Sequence, residues 1–344
     1  MKKPVLLLLV ASCVFAASCA RKGNVSGAGQ RLLLITDVGG VNDQSFNQGA
    51  WKGLSQLGKD TGATVSYLES KSRADYAAHI KTAVDTKARL IWVIGNMMGG
   101  EIMQAGIDYP NRQFAIIDYA YSAAEVPNKN VTGTIFATEE CSYLVGYIAG
   151  RMTITGIVGH INGMGTPAME NFAVGFYAGV WNALPDAEIP GEYSGSFSDP
   201  AKGMEIARRY YGAGADIIFA AAGGTGAGVI EAAKERNKWA IGVDIDQNYL
   251  APKHILTSAL KRVDNAVYDI SAQALAGNPG GGTNIYNLKN DGVDYATTGD
   301  HIPAGIIREV EAIKADIIAG KIKVPATAGE INALYPGRYK LPPQ

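Results

Sequence analysis

From residue 31 onward, short apolar runs alternate with longer stretches whose apolar residues recur at helical spacing, and this alternation restricts the fold more than any other feature. The apolar runs lie at 32–36, 64–69, 90–95, 114–119 and 131–137, and then at 157–161, 191–196, 216–221, 239–244 and 255–260. Helical spacing covers 46–59, 74–86, 100–108, 140–153, 169–183, 200–213, 226–236, 264–276 and 304–319. Continuous apolar strands separated by helices long enough to cross over belong to parallel sheets covered on both faces. At 344 residues the chain exceeds the size at which one core stops growing, so two doubly wound α/β lobes are expected.

An internal echo supports two similar lobes. The segments 90–119 and 216–246 each read as an apolar strand, a Gly-Gly pair, a helix and a second apolar strand that ends in an aspartate, Asp118 or Asp244. Asp246 follows two residues later. Carboxyl ends of strands are where open α/β sheets bind ligands.

Ahead of residue 31 stands an export signal. Lys2 and Lys3 precede an apolar run at 5–17 that ends in Ser18-Cys19, too short to span a bilayer and typical of a cleaved leader. A cysteine directly after small residues resembles a lipobox, with Ala16 where leucine is usual; ordinary cleavage near Ala17 or Ser18 is the alternative. Lipidation at Cys19 would leave Cys141 as the one thiol of the mature chain, so no intrachain disulfide could brace the fold. The polar, Gly-rich stretch 19–30 reads as a flexible tether. No later stretch is apolar for 18 residues, so the lipid would be the membrane attachment.

Charge and motif content exclude several activities. With 31 basic and 32 acidic residues and no basic run, a nucleic-acid-binding surface is not expected. The four histidines are scattered, and neither HExxH nor CxxC is present, so no metal is expected. Residues 223–228 (GGTGAG) resemble a phosphate cradle but fit neither GxGxxG nor Walker A, and no other cofactor is implied. Asp244, Asp246 and Asn248 imitate an EF-hand opening, yet Tyr249 replaces the glycine and Ile255 the closing glutamate. GxSxG is absent, leaving no catalytic residue to name.

The run TDVGGVNDQSFNQGAWKGL (36–54) resembles the signature of the basic membrane protein family, bacterial nucleoside-binding lipoproteins. Further matches follow in order at FAIIDY (114–119), EECSYLVGYIAG (139–150), FSDPAKG (197–203), IIFAAAGGTGAGV (217–229), IGVDIDQ (241–247) and LTSALKR (256–262). The resemblance implies a type I periplasmic binding protein: two Rossmann-like lobes joined by three hinge crossovers. It divides the chain into leader (1–18), lipidated tether (19–30), amino-terminal lobe (31–137 with 261–285), carboxyl-terminal lobe (138–260 with 286–325) and a tail (326–344).

Site roles also follow from the resemblance. Phe46 and Phe219 would face the two sides of a nucleobase, where one stacking face is worth roughly 1–3 kcal/mol; a core role is the alternative for each. Asp37, Asp118 and Asn47 would meet the base edge, since carboxylates accept from N–H groups and an amide both donates and accepts. Asp37, ahead of Gly39-Gly40, equally suits a turn or cap. Asp246 and Lys261 would clamp the ribose, with Asp244 as competitor for Asp246. Gly224 lies in the loop expected to touch ligand, or merely lets the strand turn closely. Asp43, Ser45 and Gln48 are expected to organise the loop and cap the helix, and Trp51, Trp181 and Cys141 to sit in the core. The implied protein is an envelope-anchored binding lipoprotein that delivers purine nucleosides to an ABC permease and ATPase. A binding protein for a sugar and a nucleoside hydrolase are the rival readings.

Overall fold

The computed structural model describes residues 25–122, 125, 129–278 and 280–340; the leader and Cys19 lie outside the described residues. Twelve strands among the described residues form two sheets. The first contains β1 (Arg31–Ile35), β2 (Thr64–Leu68), β3 (Leu90–Ile94), β4 (Gln113–Ile117), β5 (Val131–Phe136) and β11 (Gly282–Tyr286). Its order is β11-β5-β4-β3-β1-β2, all parallel. The second contains β6 (Val158–Asn162), β7 (Gly191–Tyr193), β8 (Ile217–Ala221), β9 (Trp239–Asp244), β10 (Ile255–Lys261) and β12 (Val293–Tyr295), in the order β12-β10-β9-β8-β6-β7. Only β12, paired with β10, runs antiparallel. The chain therefore passes between the sheets three times: after β5, after β10 and after β11.

Ten α-helices among the described residues flank the sheets: α1 (Phe46–Thr61), α2 (Tyr76–Asp85), α3 (Gly99–Asp108), α4 (Thr138–Met152), α5 (Pro167–Ala183), α6 (Pro200–Gly212), α7 (Thr225–Arg236), α8 (Val263–Leu275), α9 (Ala304–Ile318) and α10 (Ala328–Leu334). Central strands such as β3 and β8 are buried along their whole length, which accounts for their unbroken apolar sequence. Trp92 of β3 is fully buried, and its indole N–H donates to Ser271 Oγ of α8 at 2.8 Å, tying that helix to the first sheet. Helices α4 and α5 meet along small residues. A Cβ on Gly175 would stand 2.2 Å from the Glu139 carbonyl oxygen, and one on Gly179 2.1 Å from that of Tyr143, so any larger residue would force the helices apart.

Each of the ten expected strands and nine expected helices is present. Strands β11 and β12 and helix α10 are additions. β11 is an edge strand with the half-exposed sequence GTNIY, and β12 has three residues, so neither carries the apolar run that marks a central strand. Expected strand 191–196 ends early at Tyr193, where Ser194 begins a turn held by its own hydroxyl on Ser196 O. Within 326–344, α10 buries Ile331, and Tyr339 is buried beyond it. The stretch read as tether is docked at its end: Gly27 N donates to Thr61 O at 2.8 Å and Thr64 N to Gln30 O at 2.9 Å.

Candidate functional site

The loop after β1 assembles the first half of the site. Asp37 sits at the carboxyl end of that strand, where Gly39 N donates to its Oδ1 at 2.9 Å. Asp43 then caps α1 from outside, accepting from the backbone N–H groups of Ser45, Asn47 and Gln48 at 2.8–3.0 Å. These are donors that a helix start leaves unpaired. The cap aims the first turn of α1 at the second sheet. Asn47 Nδ2 bridges two carboxylates, Asp37 Oδ1 at 2.7 Å and Asp43 Oδ2 at 2.9 Å, which fixes its orientation. Asn47 Oδ1 is left buried with no partner among the described residues.

The second half comes from strand ends that repeat one backbone device. Asp118 follows β4 with φ 65°, and Asp244 ends β9 with φ 66°. Both occupy the left-handed region, which aspartate tolerates better than most residues. Each carboxylate thereby turns off its strand into the space between the sheets. Lys261, at the end of β10, is 2% exposed and donates to Asp118 Oδ2 at 2.5 Å. Its ammonium stands 4.7 Å from the Phe46 ring centre and 5.2 Å from that of Phe136, a cation–π arrangement that offsets part of its desolvation.

These groups line a cavity of about 620 Å³, open mouth included, between the carboxyl edges of the sheets. Phe46 lines it from the first lobe; Phe172 of α5 and Phe197, in the loop before α6, line it from the second. Four carboxylates, Asp37, Asp43, Asp118 and Asp244, face one ammonium. Burial pushes Asp37 up to about 6, opposed by the donors Gly39 and Asn47 and reinforced by Asp43 and Asp118. Burial likewise pushes Asp244 up to about 6, against the pull of Lys261 and the Ser45 hydroxyl, and it raises Asp43. Such a lining is short of hydrogen-bond donors.

Besides the Lys261–Asp118 pair, further contacts join the lobes. Ser45 Oγ donates to Asp244 Oδ2, and Gln247 Nε2 donates to the Gln44 carbonyl at 2.9 Å. Gln247 is itself held by Val243 N on its Oε1, and its backbone N–H by Ser258 Oγ.

Of the residues expected in the site, Asp37, Phe46, Asn47, Asp118 and Lys261 meet at this cavity. Three do not line it. Phe219 is fully buried in the middle of β8, packed on His160, Phe172 and Phe176 with ring centres 4.9–6.1 Å apart. Only the last residue of that strand, Ala221, reaches the cavity. Asp246 stands outside because β9 ends at Asp244, so the two-residue alternation does not continue. Its oxygens accept from Asn248 N and the Thr298 hydroxyl. Gly224 is the residue that caps the start of α7, while Gly223, with φ 55°, is the lining residue. Phe172 and Phe197 were not singled out in the sequence. Position is a signal for Phe197 alone, four residues beyond the carboxyl end of β7; Phe172 lies in the second turn of α5, ten residues past β6, where nothing in the sequence marks it. Trp51 packs against Tyr67 and Trp181 is buried, away from the cavity, and the buried Cys141 thiol donates to Thr138 O. Among the described residues no group of histidine, cysteine and carboxylate side chains could hold a metal ion, and no helix is long and apolar enough to cross a membrane.

A cavity lined by aromatic rings and carboxylates between the carboxyl edges of two wound sheets, with the chain crossing between them three times, defines a type I solute-binding protein. A crystal structure of an ABC transporter solute-binding protein from Aeropyrum pernix has the same fold, with TM-score 0.78 and 26% identity over 89% of this chain and 96% of that one. A second, from Conexibacter woesei, superposes with TM-score 0.71 at 24% identity. Residues 31–328 match the family model described as Bmp, ABC transporter substrate-binding protein PnrA-like, and the chain belongs to that family. Among its relatives, the CD4+ T-cell-stimulating antigen of Listeria monocytogenes is 37% identical over 93% of this chain and 97% of its own length. The ABC transporter nucleoside-binding protein BmpA of Lactococcus lactis is 36% identical over 95% of this chain and 100% of its own. Basic membrane protein A of Borreliella burgdorferi is 34% identical over 95% and 96% respectively.

Proposed function

We propose that the protein captures nucleosides, purine nucleosides foremost, in the interlobe cavity and delivers them unaltered to an ABC permease and its ATPase. The observation that carries this is the lining itself: aromatic rings from both lobes around four carboxylates, two amides and one ammonium. A nucleobase offers two apolar faces to such rings, and its ring N–H and amino groups, with the ribose hydroxyls, supply the donors the lining lacks. Phe46 stacks on one face, with Phe172 and Phe197 taking the part expected of Phe219. Asp37, Asn47 and Asp118 meet the base edge. Asp244, in place of Asp246, accepts from the ribose hydroxyls beside Lys261. The nucleoside-binding name of the Lactococcus lactis relative supports the same ligand class. Binding closes the lobes by rotation at the crossings, and the permease recognises the closed form.

Calorimetry with inosine, guanosine, adenosine, free ribose and a hexose tests the ligand class. Nucleosides should bind and be recovered intact by chromatography. Binding of the sugars alone would favour a sugar receptor, and free base accumulating above a buffer control would establish hydrolysis. Lipidation at Cys19 would hold the folded domain outside the cytoplasm on a bacterial membrane. The Cys19→Ser protein should then leave the membrane fraction, and unchanged partitioning would refute the anchor.

A further inference from the structure

We propose that the base of the first lobe, at the edge opposite the cavity, is a docking surface for an anionic lipid bilayer that sets the orientation of the anchored protein. A concavity there is lined by Lys87, Arg89, Arg112 and Lys129 with Gln30, and no acidic residue lines it. Arg31, exposed at the start of β1, adjoins it through the hydrogen bond from Arg89 N to Arg31 O at 2.7 Å. None of these five cations is paired with a described carboxylate. Of the acids at the ends of the neighbouring helices, Asp85 is paired with Lys81, while Asp108 accepts from the neutral amide of Gln104 and keeps its charge, one against five cations. In a chain whose formal net charge is −1, five cations without a described carboxylate partner at one edge of one sheet, Arg89 among them donating to the Ala274 carbonyl, are a local field, not an average property.

What selects a membrane as the occupant is where the chain leaves the body. Gln30 lines the concavity, and Gly27 is pinned by its bond to Thr61, so the docked chain points away from this same edge. This step rests on the proposed lipidation of Cys19. The eight Cα–Cα steps from Cys19 to Gly27 reach at most about 29 Å, at roughly 3.6 Å per residue. An acyl anchor thus keeps the basic edge close to lipid headgroups, where each lysine or arginine gains attraction that decays within a Debye length of about 8–10 Å. Docked in this way, the base of the lobe faces the bilayer and the cavity mouth is held above it, one strand length away. The patch orients a protein that the lipid already retains.

The test uses the lipidated protein on nanodiscs of phosphatidylcholine alone or mixed with phosphatidylglycerol, followed by amide hydrogen exchange. Residues 86–89 and 109–113 should be protected on the anionic discs only. Protection should vanish at about 0.5 M salt and in the Lys87→Glu/Arg112→Glu variant, whose melting temperature and nucleoside affinity report an intact fold. Retention on both discs without lipid-dependent protection would overturn the docking surface. Equal protection by inorganic phosphate without lipid would overturn it in favour of a small-anion site. Loss of the protein from phosphatidylcholine discs would instead defeat the lipid anchor. Sedimentation with phosphatidylglycerol vesicles then decides the surface by itself, binding upholding it and its absence overturning it.

Discussion

Replacing Ser45 by alanine removes a hydrogen bond that exists only when the two lobes meet. The hydroxyl belongs to the first lobe and its acceptor, Asp244 Oδ2, to the second, and both residues are buried. A hydrogen bond to an ionised group contributes about 1.5–3 kcal/mol. In an open form water would solvate Asp244, so the loss falls on the closed form alone. Since ligand is held by the closed form, Ser45→Ala should weaken nucleoside binding about 10- to 150-fold. The Ser45 hydroxyl also pulls the Asp244 carboxyl downward against its burial, so without it Asp244 should titrate above its present value of about 6. Because the lost bond is to the ionised carboxylate, the variant should lose more affinity at pH 8, where Asp244 is charged, than at pH 6, where protonation relieves the deficit. Calorimetry with inosine at both pH values measures this, and melting of the ligand-free protein checks the fold. Equal affinity to the parent at both pH values would refute the latch.

Phe46→Ala, which removes one stacking face, should weaken nucleoside binding about 5- to 150-fold with the fold intact; unchanged affinity would remove Phe46 from the site. Asp244→Asn should weaken nucleosides more than their 2′,3′-dideoxy analogues, while Asp246→Asn, whose carboxylate is occupied by Asn248 and Thr298, should change neither by more than about twofold. The reverse ranking would restore Asp246 as the ribose clamp. Asp37 and Asp244 titrate near 6 when folded, against about 3.9 in the unfolded chain. Between those values the folded form binds more protons, so ligand-free stability should fall as pH rises through that window, and ligand that donates to these carboxylates should bind more tightly above it. Melts of the parent and of Asp37→Asn between pH 4 and 7 measure the first effect, and superimposable profiles would contradict it.

The central strands were readable because burial sets their pattern; the edge strands β2 and β7 were expected as well, from their place in the alternation with helices. β3 and β8 are apolar throughout because helices cover both faces, whereas β11 and β12 sit at sheet edges, where half-exposed residues such as Asn284 and Asp294 erase the pattern. The site divides in the same way. Asp37, Phe46, Asn47, Asp118 and Lys261 stand at strand ends or helix starts that a one-dimensional reading can locate. Asp244 and Asp246 differ by a single dihedral: φ 66° at Asp244 stops the strand, and no residue type declares that in advance. Phe219 was misplaced because an apolar strand residue looks alike in sequence whether it points into a lobe or ends at its rim. Phe172 and Phe197 gain their role from the approach of helix and loop to a cavity that exists only in three dimensions.

Lys261 ends the strand from which the chain makes its second passage between the sheets, and it contacts Phe136, the last residue before the first passage. Points near a pivot move little when the bodies on either side turn. Lys261 and its partner Asp118 should accordingly stay together through opening, while Ser45 and Asp244, farther out, separate. An arriving molecule would find the floor of its seat already built and the far wall still absent. Selection would then come in two stages, the first set by what the ammonium and its carboxylate hold during the brief encounter, the second by what lets the wall swing shut. A molecule that satisfies only the floor would occupy the open protein without triggering delivery, and so would block uptake while being refused by it.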